Sequence, residues 1–201
     1  MLLALFLQAA APETAFDAER AFAAAAQAEG QWTAFRRFAA ADAVMFVPEP
    51  VNAQGWLKDR KDPPKSVRWW ATDSYVACDG SMAVNSGGWT LPDGSGGYFS
   101  TIWRREAEGG WKWTLDHGDT LQKPRPVVPI LQVRRAACGT KPAEIGVAPC
   151  PPADRCGHGR SADGSLVWEW ASSPDRRRLS VQLWNGKQFE PVLQDEVRAT
   201  Q

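Results

Sequence analysis

Asp116 and His117, neighbours near the end of an aromatic-rich segment, carry the side chains best suited to moving a proton. A carboxylate or an imidazole at the mouth of an apolar hollow could abstract a proton beside a carbonyl. Successive residues of a regular strand point to opposite faces, so at most one of the two can enter such a hollow. Each also has a structural reading: Asp116 as the cap of a turn or the acceptor of a backbone N–H, His117 as a satisfied rim residue. Asp42 and Asp119 also stand near element ends, where a carboxylate commonly caps local backbone. Tyr98 could present a hydroxyl to a developing oxyanion, or simply pack. Trp69, Trp89, Trp103 and Trp113 could wall a cavity for an apolar or aromatic ligand, with core filling as the alternative. The chain has eleven Trp against two Tyr, enough indole to serve either purpose.

Stronger chemical signatures are missing. There is no Gly-x-Ser-x-Gly elbow, no Gly-rich phosphate loop with Lys and no His-Glu-x-x-His, so no cofactor is expected. Lys plus Arg equal Asp plus Glu at 23 each, which argues against nucleic acid as a partner. Cys78, Cys138, Cys150 and Cys156 form an even set, three of them in a stretch rich in Pro and Gly. Disulfides in an oxidising compartment are the preferred reading, with free thiols as the alternative. His158 near Cys156 makes a Cys/His metal set conceivable, but the spacing fits no structural zinc pattern, and no metal is expected.

The first eleven residues are apolar and end in small residues, which reads as a secretory leader. They contain no Lys or Arg, and Pro12 follows the best cleavage point; the alternative is an unremoved start to the first helix. The run is too short to span a bilayer. Export to the periplasm or the medium is expected, with the cytoplasm as the alternative.

The elements that would position these residues follow from periodicity. Residues 13–29 read as a helix, capped by Thr14, with Ala15, Ala18, Phe22, Ala25 and Ala26 on one stripe and Gly30 at its end. A second helix follows to about Ala41, then a short strand over 44–47 stopped by Pro48 and Pro50. Residues 52–59 read as a short helix or turn. Strands are predicted over 69–78, 82–91, 98–105 and 111–117, with a bulge or bend at Gly87-Gly88. In the last strand regular alternation puts Trp111, Trp113, Leu115 and His117 on one face and Lys112, Thr114 and Asp116 on the other. Helices grouped before strands indicate an α+β fold: a strongly bent antiparallel sheet wrapped around the helices as a cone. Residues 123–164 read as a Pro- and Cys-rich linker. Residues 165–201 read as a three-stranded meander turned at Asn185-Gly186, whose apolar face should dock on the first domain.

The run Gly97-Tyr98-Phe99-Ser100-Thr101-Ile102-Trp103-Arg104-Arg105 followed by Gly110-Trp111-Lys112-Trp113 and Asp116-His117-Gly118 resembles the terminal hairpin of SnoaL-like proteins. These belong to the nuclear transport factor 2-like superfamily. Gly87-Gly88-Trp89 and Asp42-Ala43 fit the same resemblance, which covers residues 13–122. It implies a conical cavity with an acid or base inside, and relatives that include isomerases, dehydratases and proteins that only bind. The leading expectation is an exported cavity protein that binds a small apolar molecule without established catalysis. The alternatives are a lyase or isomerase using Asp116 or His117, and an interaction module whose open sheet face forms a homodimer or carries the C-terminal unit.

Overall fold

The computed structural model describes residues 13–123, 125–146 and 148–198; residues 1–11, expected to be a secretory leader, lie outside them. Thr14 caps α1 (Ala15–Glu29), its hydroxyl accepting the Asp17 N–H at 3.1 Å. The stripe Ala15, Ala18, Phe22, Ala25 and Ala26 is buried, and so is Glu19, which lies on the same face. Gly30, at φ 109°, turns the chain into α2 (Gln31–Phe38). The cap that Gly30 cannot supply comes from the following loop, where Asp62 accepts the Thr33 N–H at 3.0 Å.

α2 stops three residues sooner than periodicity suggests. Ala39 leaves the helix because β1 (Ala39–Phe46) pairs in parallel with β6, Ala39 opposite Trp113. Tertiary pairing outweighs the helical preference of three alanines. β2 (Pro50–Asn52), α3 (Ala53–Leu57), β3 (Arg68–Val76), β4 (Met82–Thr90), β5 (Gly96–Arg105) and β6 (Trp111–Leu121) follow. β7 (Gln132–Arg135) pairs in parallel with β3. The seven-stranded sheet has the order β2-β1-β6-β5-β4-β3-β7. Its centre is antiparallel, and a parallel pair lies towards each end.

Register shifts in β3 and β6 bend this sheet. Glycine is required at Gly87 and Gly97. A Cβ at Gly87 would occupy the space of the Trp70 carbonyl oxygen, and one at Gly97 that of the Asp119 carbonyl oxygen. Both strands therefore approach their neighbours more closely than any side chain permits.

The helices lie on the concave face. Phe22 is the centre of that layer, its ring 4.8 Å from those of Phe35 and Trp69 and 6.1 Å from that of Trp103. The convex face is covered by a second, antiparallel sheet in the order β11-β10-β9-β8. It is built from β8 (Arg155–Arg160), β9 (Leu166–Ser173), β10 (Arg176–Trp184) and β11 (Phe189–Arg198). Leu166, Trp170, Leu179, Val181 and Leu183 pack there against Val84, Ile102 and Leu115. The molecule thus has three layers, helices, bent sheet and small sheet, with one apolar core on each side of the bent sheet.

The meander expected from sequence gains a fourth strand, β8, and the stretch expected to be a linker supplies both β7 and β8. All four cysteines are paired, Cys78 with Cys138 and Cys150 with Cys156. Two disulfides point to an oxidising compartment. Among the described residues no helix is long and apolar enough to cross a membrane.

Candidate functional site

A cavity of about 360 Å³ opens between the helices and the concave face of the bent sheet. Phe22, Trp32, Phe35, Trp69, Trp89 and Phe99 supply most of its aromatic wall, with Met45, Val47, Val67 and Leu91 completing the apolar lining. Three carboxyl groups interrupt it, Glu19 from α1 and Asp116 and, at the mouth, Asp119 from β6.

Asp116 reaches the cavity because β6 is not regular. Ile102 pairs with Leu115 and Trp103 with Trp113, so Thr114 has no partner and forms a bulge. Before the bulge, Trp111 and Trp113 point to the concave core. After it, Leu115 joins the convex core and Asp116 returns to the concave side. This corrects the regular alternation expected for residues 111–117. His117 follows Leu115, away from Asp116.

Burial pushes the Asp116 carboxyl up to about 7, against the opposing effect of the Thr101 hydroxyl. That hydroxyl, 3.2 Å from Oδ1, is its hydrogen-bond partner among the described residues. The solvent contact Asp116 retains is with the cavity it lines.

Glu19 is held more firmly. Trp69 Nε1 donates to Oε1 at 2.8 Å and Trp103 Nε1 to Oε2 at 2.7 Å; Asn85 Nδ2 adds a longer contact of 3.4 Å. Burial raises this carboxyl to about 7, the indole hydrogen bonds oppose the rise, and the charge of Asp116 adds to it. Glu19 thereby ties α1 to β3, β4 and β5. Sequence reading missed it, although the signal was there: Glu19 falls on the apolar stripe of α1, one residue after Ala18 and three before Phe22.

The other sequence candidates are dispersed. Trp69 and Trp89 line the cavity; Trp103 and Trp113 are fully buried in the core beneath it. Tyr98 and His117 border it, but their rings face each other at 6.4 Å on the convex side, where His117 also meets Phe46 at 5.1 Å. Arg125 lies over the Tyr98 ring. His117 Nδ1 lies 3.6 Å from Asp195 Oδ2, and neither imidazole nitrogen has a hydrogen-bond partner among the described residues. Asp42 forms an exposed two-pronged pair with Arg104, both contacts 3.0 Å, and this pairing holds its carboxyl below the usual range. Asp119 is at the cavity mouth, where it accepts the Thr120 N–H at 2.8 Å. Among the described residues no cluster of three or more His, Cys, Asp or Glu could hold a metal ion.

Helices on the concave face of a bent sheet, a hollow between them and a carboxyl within it make a recognisable arrangement. The fold is an α+β cone, as expected from the order of its elements. No protein-family model matches the chain, and no curated protein matches it. Among solved structures it is similar to a "putative ketosteroid isomerase" from Parabacteroides distasonis, at 16% identity and a TM-score of 0.46. That match covers 57% of this chain and 94% of the other. It is also similar to a "putative aromatic ring hydroxylase" from Novosphingobium aromaticivorans, at 19% identity and a TM-score of 0.38, over 54% of this chain and 87% of the other.

Proposed function

We propose that this protein, whose cone resembles the nuclear transport factor 2-like fold, binds a small, largely apolar molecule in that cone, with one polar group of the ligand seated on Asp116. The observation that carries this reading is an apolar, aromatic-walled cavity holding a carboxyl with a single hydroxyl partner. A volume of about 360 Å³ is at the lower end of small-molecule pockets, which run roughly 300–1,000 Å³. Binding is favoured over enolisation of a carbonyl compound by what Asp116 lacks. Such chemistry needs a base and, opposite it, a donor for the developing oxyanion. Tyr98 and His117, the natural donors, turn to the other face, which leaves Thr101 as the nearby hydroxyl.

A lyase or isomerase reading is favoured by a different observation, the near-neutral proton affinity of Asp116, which suits a general acid or base. Native mass spectrometry of the protein from its own host tests both readings. Binding predicts a complex carrying an unaltered small molecule, lost on denaturation; a cavity that is always empty refutes it. Conversion of that molecule on prolonged incubation, abolished in Asp116→Asn, would favour the enzyme.

The paired cysteines and the apolar leader together support export to the periplasm or the medium. A mature mass lacking the leader, with no thiol available to alkylation, is expected. A homodimer through the sheet face would need another surface, because the convex face already carries β8–β11.

A further inference from the structure

We infer that the ligand of this cavity is an organic cation, a small amine or quaternary ammonium with an aromatic or aliphatic body. The inference rests on the binding reading above and adds a ligand class to it.

The charges around the cavity are one-sided. Glu19, Asp116 and Asp119 line it, and no Lys or Arg among the described residues does. Three guanidinium groups around the cavity are held by other groups. Arg177 donates to the Gly118 carbonyl oxygen at 2.7 Å and lies over the Phe46 ring. Arg125 donates to Ser86 Oγ at 2.9 Å. Arg36 donates to the Leu57 carbonyl oxygen at 2.7 Å. Asp116 therefore faces an apolar space with one hydroxyl contact and no counter-ion.

A charge in such a place needs a partner or a proton. An anionic ligand would add to the repulsion between the carboxyl groups. A neutral ligand would fill the volume and leave Asp116 uncompensated. A cation would pair with Asp116 while Trp69, Trp89 and Phe99 offer it ring surface, as aromatic sites for ammonium groups do. Glu19 does not compete for that role, because two indole donors already occupy its oxygens.

The selectivity should depend on pH. Glu19 from α1 is the titratable group facing Asp116 across the cavity, its own proton affinity raised by the Asp116 charge; Asp119 stands at the mouth beside Tyr98, and His117 and Asp195 are on the opposite face of the sheet. Protonation of Asp116, whose carboxyl is raised to about 7, removes the counter-ion and with it the preference for a cation.

The test is a titration of tryptophan emission in the full chain with phenyltrimethylammonium, with tert-butylbenzene as its neutral isostere and with benzoate as an anion. At pH 8 the ammonium is expected to bind at least tenfold more tightly than the isostere, and benzoate not to bind. The preference should shrink on lowering the pH to 5 and disappear in Asp116→Asn. Tighter or equal saturable binding of tert-butylbenzene at pH 8 would overturn the cation inference and leave the binding cavity standing. Absence of binding by all three probes would remove both. Should Asp116→Asn not fold, the pH series on the unaltered chain decides: a preference unchanged from pH 8 to 5 overturns the inference.

Discussion

Glu19 and Asp116 share one apolar enclosure but are anchored differently, and their substitutions should diverge. Glu19 accepts one indole N–H on each oxygen. Glutamine keeps one acceptor and replaces the other with an NH₂, which would face a donor. Glu19→Gln should therefore cost about 1–3 kcal/mol, the usual penalty for a buried donor left unpaired. The comparison belongs at pH 5, where the native carboxyl is neutral and the two folded proteins carry the same charge at this position. Equal denaturation midpoints there would refute the role given to Glu19. Asp116 has a single hydroxyl partner that asparagine retains, so Asp116→Asn should stabilise the fold at pH 8, by about 1 kcal/mol once screening by cavity water is allowed for. The same two groups set a pH dependence. Their native proton affinities rise from 4.5 for Glu19 and 3.8 for Asp116 to about 7 in each case. Between these limits the native state holds protons that the unfolded chain has released, so stability falls as pH rises and levels off above about 7. The carboxyl groups of Asp42, Asp62 and Asp163 are shifted downwards, and their opposite contribution appears only in more acidic solution. Urea denaturation at pH 5, 6, 7 and 8 should show a decline in the unaltered chain and a shallower one in Asp116→Asn; a rise would contradict the burial of both acids.

The elements that position these residues depend on close strand approach, and Gly87→Ala tests this directly. The added methyl would meet the Trp70 carbonyl oxygen, which is backbone and cannot move without opening the β3–β4 ladder. A loss above about 3 kcal/mol is expected, the range of severe overpacking and strain. Gly55→Ala is the control: it lies inside α3, where a Cβ would make ordinary contact with Asn52 Oδ1, and should be neutral or stabilising by up to about 1 kcal/mol. Similar melting temperatures for the two variants would remove the argument for glycine at position 87. Parts of this architecture are plain in the sequence. The stripe on α1, the consecutive antiparallel strands β3 to β6 and the turn at Asn185-Gly186 all follow from periodicity and turn chemistry, whereas the parallel pairs β1–β6 and β3–β7 do not. The bulge at Thr114 is not, because Trp111-Lys112-Trp113-Thr114-Leu115 satisfies a regular alternation just as well; which face each residue takes is decided by β5 and by the two cores. β7 is exposed along its whole length and carries no apolar alternation, so only its pairing with β3 makes it a strand. In β8, Gly157 and Gly159 leave space for the Trp170 and Trp168 rings, so the residues that normally weaken a strand are the ones this sheet needs. The candidate site follows the same division. Asp116 stands out by residue type, whereas its partner acid Glu19 was hidden in a helix whose remaining stripe is apolar.

At the scale of the whole molecule the bent sheet has a cavity side and a support side, and one covalent bond anchors the segment that runs between the layers of the latter. The segment following β7 touches both sheets: the Ala136 N–H donates to the Val76 carbonyl oxygen and the Ala137 N–H to that of Trp184. Cys138, next in the chain, is bonded to Cys78 at the end of β3. Thr140 then accepts the Trp184 indole N–H at 2.9 Å. Without this connection, β8–β11 would be held to the bent sheet by apolar contact and a few polar contacts, such as Ser100 Oγ to Asp195 Oδ2 at 2.7 Å. The second disulfide, Cys150–Cys156, closes a separation of only 6 residues, against 60 for the first. Loop-closure entropy grows with the length enclosed, so removing Cys78–Cys138 by double serine substitution should cost roughly 4 kcal/mol and removing Cys150–Cys156 roughly 2 kcal/mol. Neither bond touches the helices or the cavity wall, so each variant should retain its ligand affinity below its melting temperature. Denaturant midpoints together with a probe titration measure both quantities. A larger loss from the shorter loop would show that the two sheets are joined mainly by their apolar faces, and weakened probe binding in the Cys78–Cys138 variant would show that the shape of the cone depends on the support behind it.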